Sequence, residues 1–494
     1  MKERCLLLHY GCSDESQCLH FTGNSKDYEY ALIGRSGKLN DFKAQRGWSR
    51  ERSASFINEC LMMKKITVSI YFVLIFVISL IFLLGFLLAS SMVPEDRIQR
   101  HMEESADIMC EHSRIWYMIP GVESSQNHLY ADAITLNIAY HFSDGSPLES
   151  VMWAKYYTGD GDVNTSLRTS VNSHLNAETE YLRYWHGSSA VVRFLHLFLN
   201  IIQIYWMHAV MIAGLFAVLV IVLLRKRLYA ELAAFVLSMV MISIWFVPFC
   251  LEYTWIFLCM LISSVLGIKF AEEGKKTQLY YLFLITGMVT VYLDFLSAET
   301  LTLVVPLILI LRVWRKRADN RYGCREQWGF FLKSAGLWAI GYVGMWISKW
   351  IIASAVLHEN VMPYVKEHIS DRIEGVNPAG SLVGYIVGAI MRNVKCLFPF
   401  DYGKTGAIIL LTMIVVFIVL PVAADKVTIK NEIDERIIAL YLSIGGIPIL
   451  RYAVLHSHSW YHASFTYRAL AGTVLALCCI TAEIIEWKRA DANS

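Results

Sequence analysis

The sequence predicts an all-α fold, a polytopic integral membrane helix bundle with about ten or eleven transmembrane helices. Of the 494 residues, 56% are hydrophobic and only 17% are charged, and the mean hydropathy is +0.44. A soluble protein of this length would carry more charge. Apolar stretches of the length that crosses a bilayer recur along the chain. One large polar loop, residues 91–204, follows the first of these stretches.

Residues 1–61 are polar and show no sustained hydrophobic period. Met62-Met63-Lys64-Lys65 follows, directly ahead of the first apolar stretch. Many bacterial membrane proteins begin in this way. We therefore expect residues 1–61 to be either a disordered cytoplasmic tail or a mis-called start upstream of the true initiator methionine. In both cases they are expected to do no chemistry.

Apolar stretches predict ten spans, the first forming a helix over residues 62–90. The stretches are 66–90, 205–224, 228–249, 251–269, 279–296, 299–314, 330–353, 405–423, 436–455 and 466–486. An eleventh stretch, residues 381–397, carries Arg392 and Lys395. It either spans the membrane or forms an amphipathic or re-entrant element, and charge bias favours the second.

Basic residues predict the orientation of the chain in the cell membrane. Lys64-Lys65, Arg225–Arg227, Lys275-Lys276 and Arg312–Arg325 fall on the same side if the predicted spans alternate. The positive-inside rule makes that side cytoplasmic, together with the N-terminus. The loop 91–204 is then extracytoplasmic. Within the bundle of residues 205–490, the segment 354–397 is expected to be an extracytoplasmic or re-entrant element.

Several classes of function are excluded or disfavoured. The net charge is +2 and basic runs are short, so no nucleic-acid partner is expected. The chain has no Gly-x4-Gly-Lys-Ser/Thr loop, so it is not an ATPase by itself. It also lacks His-Glu-x-x-His and Gly-x-Ser-x-Gly, which leaves proteases and lipases of those types unsupported. No two-half repeat is visible, which disfavours a transporter of the inverted-repeat type.

Acids crowd the beginning of the long loop. Glu95 and Asp96 follow the first span, and residues 95–109 fit an amphipathic helix lying on the membrane surface. The acids are either the solvated face of that helix or catalytic groups.

A second acid, Asp132, lies among apolar residues, and Asn137 follows it. An acid in apolar surroundings has a raised pKa, which suits a general base. Asp is also among the best helix N-caps, so a purely structural role is equally open.

Arg183-Tyr184-Trp185-His186 approaches the second span from the long loop. An arginine fork can hold a phosphate, and a histidine can donate a hydrogen bond or move a proton. Tyr184 and Trp185 are either a platform for a sugar or part of the aromatic belt at the bilayer edge.

The segment 456–468 contains three histidines and an arginine between two apolar stretches. His458 and His462 share a helix face, but no nearby acid completes a ligand set. We therefore predict no cofactor and no metal ligand, a divalent metal being possible but unsupported, and favour a polar, anion-binding site. Tyr467-Arg468 lies just inside the last span. A charge there is normally paired or functional, and Asp294 and Glu299 are the candidate partners.

The overall plan resembles the GT-C class of membrane glycosyltransferases. The common features are many spans, a large first outside loop with acids, and later outside loops with His and Arg. Tyr184–Gly187, Asp132 with Asn137, and Phe465–Arg468 are also similar to segments of polytopic membrane proteins from Gram-positive bacteria. The resemblance covers most of residues 62–490. It implies a polyprenyl-phosphate or pyrophosphate sugar donor, and it places the family's acid at Glu95 or Asp96.

These observations together predict a membrane glycosyltransferase. It would move a sugar from a polyprenyl-phosphate carrier to a cell-envelope glycan or lipid on the extracytoplasmic side. An acid would deprotonate the acceptor hydroxyl, and cationic side chains would neutralise the departing phosphate. The expected catalytic residues are Asp132, Glu95 and Asp96. The expected substrate-binding residues are Asn137, Arg183, Tyr184, Trp185, His186, His458, His462, Tyr467 and Arg468.

Two other functions fit the same residues. One is a transporter or flippase for a lipid-linked or other amphiphilic solute, with the polar residues along its path. The other is an envelope-polysaccharide polymerase or ligase of similar topology. The expected partners in every case are membrane lipid and a lipid-linked or amphiphilic substrate.

Overall fold

The computed structural model describes three short strands near the N-terminus and residues 50–159, 161–316 and 322–487. The strands are β1 (Cys18–Thr22), β2 (Glu29–Ile33) and β3 (Leu39–Asn40), and they form an antiparallel sheet in that order. This sheet belongs to a compact unit, Met1–Val73. Most of the predicted tail or mis-called start, residues 1–61, lies outside the described residues.

Helices dominate the rest of the described chain. The helices before the second predicted span are α1 (Arg50–Ser91), α2 (Glu95–Cys110), α3 (Leu129–Tyr140), α4 (Pro147–Trp153), α5 (Val163–Ser173) and α6 (Gly187–Leu195). Those that follow are α7 (Ile201–Arg225), α8 (Tyr229–Met241), α9 (Thr254–Glu272), α10 (Lys276–Leu293), α11 (Leu301–Arg315), α12 (Cys324–Leu357), α13 (Met362–Ile373) and α14 (Leu382–Lys395). The last are α15 (Gly403–Ile414), α16 (Leu420–Ala423), α17 (Glu435–Gly445), α18 (Ile447–Val454), α19 (His456–Tyr461), α20 (Ala463–Thr466) and α21 (Ala471–Ile484).

Short two-stranded pairs, 3-10 turns and a π-helical segment, Val415–Val419 between α15 and α16, complete the description of these residues. The pairs are β4 (Trp116–Tyr117) with β5 (Gln126–Asn127), and β6 (Val427–Ile429) with β7 (Ile485–Trp487). The 3-10 turns are Glu123–Ser125, His141–Ser143, Ile244–Phe249 and Tyr467–Leu470.

The predicted all-α class is confirmed, and about 75% of the chain is helical. Seven helices among the described residues are long and apolar enough to cross a membrane, as a multi-pass membrane bundle requires. They are Ser69–Ser91, Ile201–Arg225, Thr254–Glu272, Cys324–Leu357, Gly403–Ala423, Glu435–Val454 and Ala463–Ile484. Each coincides with one of the ten predicted spans.

The other three predicted spans correspond to shorter or less apolar helices. They are α8, α10 and α11, with 13, 18 and 15 residues. Helix α11 is buried along almost its whole length, because neighbouring helices surround it. The eleventh stretch forms α14, whose 14 residues are fewer than a straight crossing needs. Val383 and Val387 leave an apolar face of α14 exposed, so it is amphipathic as predicted.

Close backbone contact fixes how two of the central helices pack. A Cβ atom at Gly287 on α10 would lie 2.2 Å from the carbonyl oxygen of Trp338 on α12. One at Gly341 on α12 would lie 2.2 Å from the carbonyl oxygen of Leu284. Small residues permit this approach, which membrane helices commonly use.

Helices α9, α11 and α21 run in the same direction. Gly267 of α9 lies against Ile310 of α11. Gly472 near the beginning of α21 lies against Val304, and Glu483 near its end pairs with Arg312. The N-terminal ends of these three helices therefore lie at the same end of the bundle.

A buried ion-pair cluster closes the opposite end of α11. Arg312 pairs there with Glu231 of α8 at 2.7 Å and with Glu483 of α21. Lys316 binds the other oxygen of Glu231 at 2.8 Å. These pairs tie three helices together and compensate charges that would be costly to bury alone.

The long loop folds as helices α2 to α6, within the compact unit Leu74–Ser494 that also contains the bundle. Helix α2 is amphipathic, as predicted for residues 95–109. Its apolar residues, which include Ile98 and Met102, are fully buried in the main core, so protein covers the face that we expected to lie on the membrane surface. The amine of Lys349 on α12 donates to the carbonyl oxygens of Val151 and Met152 at 3.1 Å, which fixes the loop to the bundle.

Candidate functional site

Polar residues converge where α9, α11 and α21 begin. Glu252 immediately precedes α9, Glu299 precedes α11, and Arg468 lies in the 3-10 turn that leads into α21. All three are buried. Helix N-termini carry partial positive charge, so three of them side by side favour an anion.

Glu252 is the acid at the centre of this region. Its side chain is 8% exposed, and Oε2 has no hydrogen-bond partner among the described residues. Burial, together with the nearby carboxylates of Asp132 and Asp294, raises the pKa of Glu252 to about 8. The charges of Arg372 and Arg468 act in the opposite direction. A carboxyl group with this pKa can exchange a proton near neutral pH.

Three arginines of this region form no ion pair with a carboxylate among the described residues, and two of them, Arg372 and Arg468, act electrostatically on Glu252. The three are Arg183, Arg372 and Arg468, and the Nε atom of each is buried without a hydrogen-bond partner. The whole side chain of Arg468 is buried, while Arg183 and Arg372 are partly exposed. A buried guanidinium without a counter-charge is costly unless a ligand compensates it. A bound anion would therefore compensate the positive charge of the three side chains.

Arg468 is 0% exposed and is held by backbone oxygens. It donates to the carbonyl oxygens of Ser464 at 2.9 Å and Ser124 at 3.3 Å. Its guanidinium lies 4.3 Å from the centre of the Tyr253 ring and 4.8 Å from that of Tyr467. Stacking between two aromatic rings fixes the orientation of the charge.

The predicted partners of Arg468 are engaged elsewhere. Glu299 pairs with Arg451 at 2.9 Å, and both of these side chains are about 6% exposed. Asp294 accepts hydrogen bonds from the backbone and hydroxyl of Ser297. The proposed pairing was therefore wrong, because the turn before α11 directs Glu299 to Arg451 on α18.

Arg183 extends over the ring of Tyr181, 4.0 Å from its centre. Its contacts with Tyr364 and His368 on α13 are long hydrogen bonds of 3.5 Å. Arg183 and Arg372 both act on the pKa of Tyr181. The loop segment around 181–186, which carries Arg183, therefore lies close to helix α13, which carries Arg372.

A glycine after α13 allows the end of this helix, which carries Arg372, to lie close to α19. Gly375 has a φ of +44°, in the left-handed region where glycine is favoured, and a Cβ there would lie 2.0 Å from Oγ of Ser457. This close approach lays the end of α13 on α19. The hydroxyl of Tyr461 adds a hydrogen bond to the carbonyl oxygen of Val376 at 3.0 Å.

His458 and His462 lie together, with ring centroids 4.7 Å apart. Burial lowers the pKa of His458 well below its usual value, and Arg451 contributes to this shift. Burial lowers the pKa of His462 to about 4. Both rings are therefore neutral at pH 7 and offer hydrogen bonds without adding charge. Arg183 also acts on the pKa of His458, so the segments around 183 and 458 converge.

Among the described residues, no third ligand completes a metal site at His458 and His462. No group of three or more His, Cys, Asp or Glu side chains is placed to hold a metal ion in the part of the chain that the structure describes.

Asp132 has the raised pKa predicted for it, but it is enclosed. Burial raises its pKa to about 6. Its carboxylate accepts from the hydroxyl of Tyr205 at 2.5 Å and from the amide of Leu251 at 2.9 and 3.0 Å, and the side chain is 0% exposed. It does not cap its own helix, which begins at Leu129. In this position it fixes the turn that carries Glu252.

Asn137 and Trp185 also have backbone partners. The side-chain amide of Asn137 donates to the carbonyl oxygen of Tyr157 at 3.1 Å and accepts from its amide at 2.9 Å. Trp185 is fully buried, and Nε1 donates to the carbonyl oxygen of Met345 at 2.9 Å. Both residues join parts of the fold, and neither presents a surface to a sugar.

Tyr184 and His186 belong to the same segment as Arg183. Tyr184 packs edge-on against Phe295 with ring centroids 5.2 Å apart. His186 binds the carbonyl oxygen of Tyr181 at 2.7 Å, and its Nδ1 has no partner among the described residues. A Cβ at Gly187 would lie 2.2 Å from the ring of Tyr292, so glycine there lets this segment lie on α10.

Tyr467 is fully buried, and its hydroxyl donates to the carbonyl oxygen of Ile242 at 2.9 Å. Its ring supports Arg468, so its contribution to the site is indirect.

Glu95 and Asp96 lie away from this convergence. Tyr140, at the end of α3, donates to Glu95 at 2.5 Å, and His174 binds the same oxygen at 2.8 Å. Tyr140 is eight residues beyond Asp132, which is about 12 Å along a helix. Asp96 is exposed. The structure therefore does not bring these two acids to the arginines.

Glu252, Arg372 and Arg451 are site residues that we did not predict. Glu252 lies in what the sequence presents as one apolar stretch, 251–269, whereas the helix begins at Thr254. A charged residue inside an apolar stretch is itself a functional signal, so Glu252 and Arg451 were open to prediction. Arg372 lies in a polar segment among other charges, and nothing in the sequence distinguishes it.

Comparison with protein-family models, curated proteins and solved structures gave no match to the chain. The resemblance to the GT-C class therefore stays a prediction based on the residues quoted for it. The chemistry of the site has to be argued from its own geometry.

Proposed function

We propose that this protein is a GT-C-like membrane glycosyltransferase. It transfers a sugar from a polyprenyl-phosphate carrier to a cell-envelope glycan or lipid on the extracytoplasmic side. The seven long helices together with α8, α10 and α11 then supply ten crossings, with the N-terminus in the cytoplasm. The membrane lipid surrounding the bundle is the source of the carrier.

The observation that supports this proposal is a set of three arginines that form no ion pair with a carboxylate in the part of the chain that the structure describes, two of which act electrostatically on Glu252. Arg183, Arg372 and Arg468 supply positive charge where three helix N-termini also point. Arginine forks match the geometry of phosphate oxygens. His458 and His462, neutral at pH 7, can add hydrogen bonds to the same oxygens.

The reaction assigns one role to the acid and another to the arginines. The acceptor oxygen forms a bond to the anomeric carbon of the donor sugar. The bond between that carbon and the phosphate oxygen breaks, and its electron pair leaves with the phosphate. The acceptor proton passes to Glu252 in its ionised form, which with a pKa of about 8 is the minority form at pH 7. The arginines stabilise the charge on the departing phosphate.

Phosphate recognition is tested by binding. The full-length protein in lipid nanodiscs is titrated with a polyprenyl monophosphate and with the uncharged polyprenol of the same length. We expect the phosphate to bind more tightly. Arg183→Gln and Arg372→Gln should each weaken its binding by about 10- to 100-fold, as for a lost hydrogen bond between charged groups. Arg97→Gln, which changes an exposed arginine of α2, is the matched control.

Equal binding of phosphate and alcohol would rule out the anion site. Equal affinity of the two site variants and the control would do the same.

Transfer is tested with the Glu252→Gln variant. With a polyprenyl-phosphate sugar as donor, the variant should bind the donor normally and lose transfer by about 10²- to 10⁴-fold, the usual contribution of a general base. Glu359→Gln, an exposed acid, is the control. Undiminished transfer by Glu252→Gln would contradict the assigned base. Donor that crosses the bilayer of a proteoliposome with its sugar still attached would indicate a flippase instead.

A further inference from the structure

An exposed apolar strand follows helix α2 in the long loop. Residues 115–119 read Ile-Trp-Tyr-Met-Ile, and four of these five side chains are between 37% and 43% exposed: Ile115, Trp116, Tyr117 and Ile119. The strand forms a hairpin, in which residues 116–117 pair with residues 126–127. Consecutive apolar side chains that stay exposed mark a contact with another protein or with a membrane.

Local contacts give this hairpin a defined shape. The amide and the carbonyl oxygen of Ile119 both bond Oγ of Ser125, each at 3.0 Å. The ring of Trp116 stacks on that of His112 with centroids 4.3 Å apart. The side-chain amide of Gln126 donates to the hydroxyl of Tyr117 at 2.7 Å. The polar end of Tyr117 therefore has a partner within the hairpin, while its ring faces outward.

The hairpin lies at the end of the bundle where α15 begins. In its turn, Glu123–Ser125, the amide of Ser124 donates to Oδ2 of Asp401 at 2.8 Å. Asp401 is two residues before α15, which begins the apolar helix Gly403–Ala423, long enough to cross a membrane. A crossing helix begins near the interface between lipid and water. The hairpin is therefore held at the level of this interface.

Helix α14 adds an apolar stripe next to the hairpin. Val383, Val387 and Met391 are exposed, and residues spaced by four share one face of a helix. Arg392, the next residue of the chain, pairs with Glu123 in the turn of the hairpin at 3.5 Å. The stripe therefore ends beside the hairpin, and the two apolar surfaces are neighbours.

The residue types indicate lipid as the partner of this surface. Tryptophan and tyrosine are enriched at membrane interfaces, where the apolar ring and the polar tip are both accommodated. Arg114 before the strand and Lys404 in the first turn of α15 are exposed, and long basic side chains reach lipid phosphates from such positions. The acids of the region, Glu123 and Asp401, are engaged by Arg392 and by the amide of Ser124.

We propose that residues 115–119 enter the lipid interface beside the beginning of α15 and anchor the long loop to the membrane surface. The hairpin thus makes the contact that we expected for residues 95–109, whose apolar face is covered by protein. The carbonyl oxygen of Ser124 accepts from Arg468 at 3.3 Å, so the anchor also supports a residue of the candidate site. Its contact with lipid is independent of what that site binds.

Photo-crosslinking from the hairpin tests this proposal. The photoreactive residue p-benzoyl-phenylalanine replaces Tyr117 in the full-length protein, which is irradiated in liposomes of phosphatidylethanolamine and phosphatidylglycerol. Mass spectrometry identifies the partner, since a phospholipid adds far less mass than a protein. We expect a phospholipid adduct. The same probe at Phe417, an exposed residue of the apolar helix 403–423, is the positive control, and the probe at Asn172, an exposed polar residue of α5, is the negative control.

Aspartate variants distinguish insertion from chance proximity. Ile119→Asp, made in the protein that carries the probe at position 117, should lose most of the phospholipid adduct, because a carboxylate resists transfer out of water. Val376→Asp changes another exposed aliphatic residue, outside the hairpin, and should keep the adduct as the matched control. Ile115→Asp repeats the test at the other end of the strand if Ile119→Asp does not fold.

A phospholipid adduct at position 417 without one at position 117 would overturn the proposal. An adduct between position 117 and a second copy of the protein would also overturn it, and would assign the strand to a protein interface. Equal lipid adducts at positions 117 and 172 would show that the hairpin has no special contact with lipid.

The proposed function is tested separately, by the binding of polyprenyl phosphate through Arg183 and Arg372. It would survive each of these failures if that binding were retained. Loss of phosphate recognition in a protein that still gives the lipid adduct would instead remove the proposed function and leave the anchor in place.

Discussion

The hydroxyl of Tyr205 on α7 donates to the carboxylate of Asp132 on α3 at 2.5 Å. This bond joins the long loop to the first helix after it, and the amide of Leu251 completes the contact. The arrangement makes Asp132 an anchor for the turn that carries Glu252. An anchor and a catalytic base respond differently to mutation.

We predict that Asp132→Ala lowers the free energy of unfolding by about 2–4 kcal/mol, because two buried donors, from Tyr205 and Leu251, lose their acceptor. Asp132→Asn keeps an acceptor oxygen and should cost much less, while retaining sugar transfer. Thermal unfolding in detergent measures both variants, with the exposed Asp107→Ala as control. Loss of transfer by a stable Asp132→Asn protein would restore Asp132 as the base.

The pH dependence of stability gives an independent check on Asp132. Its pKa is about 6 in the folded protein and near 3.8 when unperturbed. Because the folded value is the higher one, the contribution to stability is complete below pH 3.8 and is lost as the pH rises through 6. The Asp132→Asn variant should lack this decline. A wild-type stability that instead rises through the same range more steeply than that of the variant would contradict the assignment.

The sequence was sufficient to predict the helical class and the apolar helices that are long enough to cross a membrane. Apolar length determines these features locally. It was not sufficient to choose the acid. Asp132 and Glu252 both lie among apolar residues. Only tertiary contacts show that Asp132 is enclosed by donors, while one oxygen of Glu252 has no hydrogen-bond partner among the residues that the structure describes. The partner of Glu299 was missed for the same reason, since Arg451 reaches it through the packing of α18.

Glu252 predicts how phosphate binding depends on pH. Its pKa of about 8 means that it is mostly protonated at pH 7 and mostly ionised at pH 9. The new negative charge beside Arg372 and Arg468 then weakens their attraction for a phosphate. We expect the affinity for polyprenyl phosphate to fall between pH 7 and 9 in the wild type. The phosphate itself is already a dianion across most of this range, with a second pKa of about 6.

The Glu252→Gln variant isolates this effect. Its affinity for polyprenyl phosphate should be independent of pH from 7 to 9, since the amide does not ionise. Titrations at fixed ionic strength provide the comparison. An identical decline in the wild type and the variant would show that another group titrates.

The buried pair of Arg451 and Glu299 predicts a strong asymmetry between single and double changes. Glu299→Met should destabilise the protein by about 3–5 kcal/mol, because it leaves the charge of Arg451 buried without compensation. Changing both residues to Met should cost less than that single change, since no charge remains buried. Unfolding midpoints of the single and double variants measure the difference. A double variant less stable than Glu299→Met would mean that the hydrogen bond from Arg451 to Ser459 matters more than the ion pair.

Close contact between α10 and α12 predicts opposite effects for two glycines of the same helix. A Cβ at Gly341 would lie 2.2 Å from the carbonyl oxygen of Leu284, so Gly341→Ala must push the two backbones apart. Overpacking of this kind costs about 1–3 kcal/mol. Gly336 has no heavy atom within 4 Å of its Cβ position, and there alanine should stabilise the helix by up to about 1 kcal/mol. Thermal unfolding midpoints of Gly341→Ala and Gly336→Ala measure the difference. Helix propensity favours alanine at both positions, so only the contact with α10 distinguishes them. Equal stability of the two would show that α10 and α12 do not meet at Gly341.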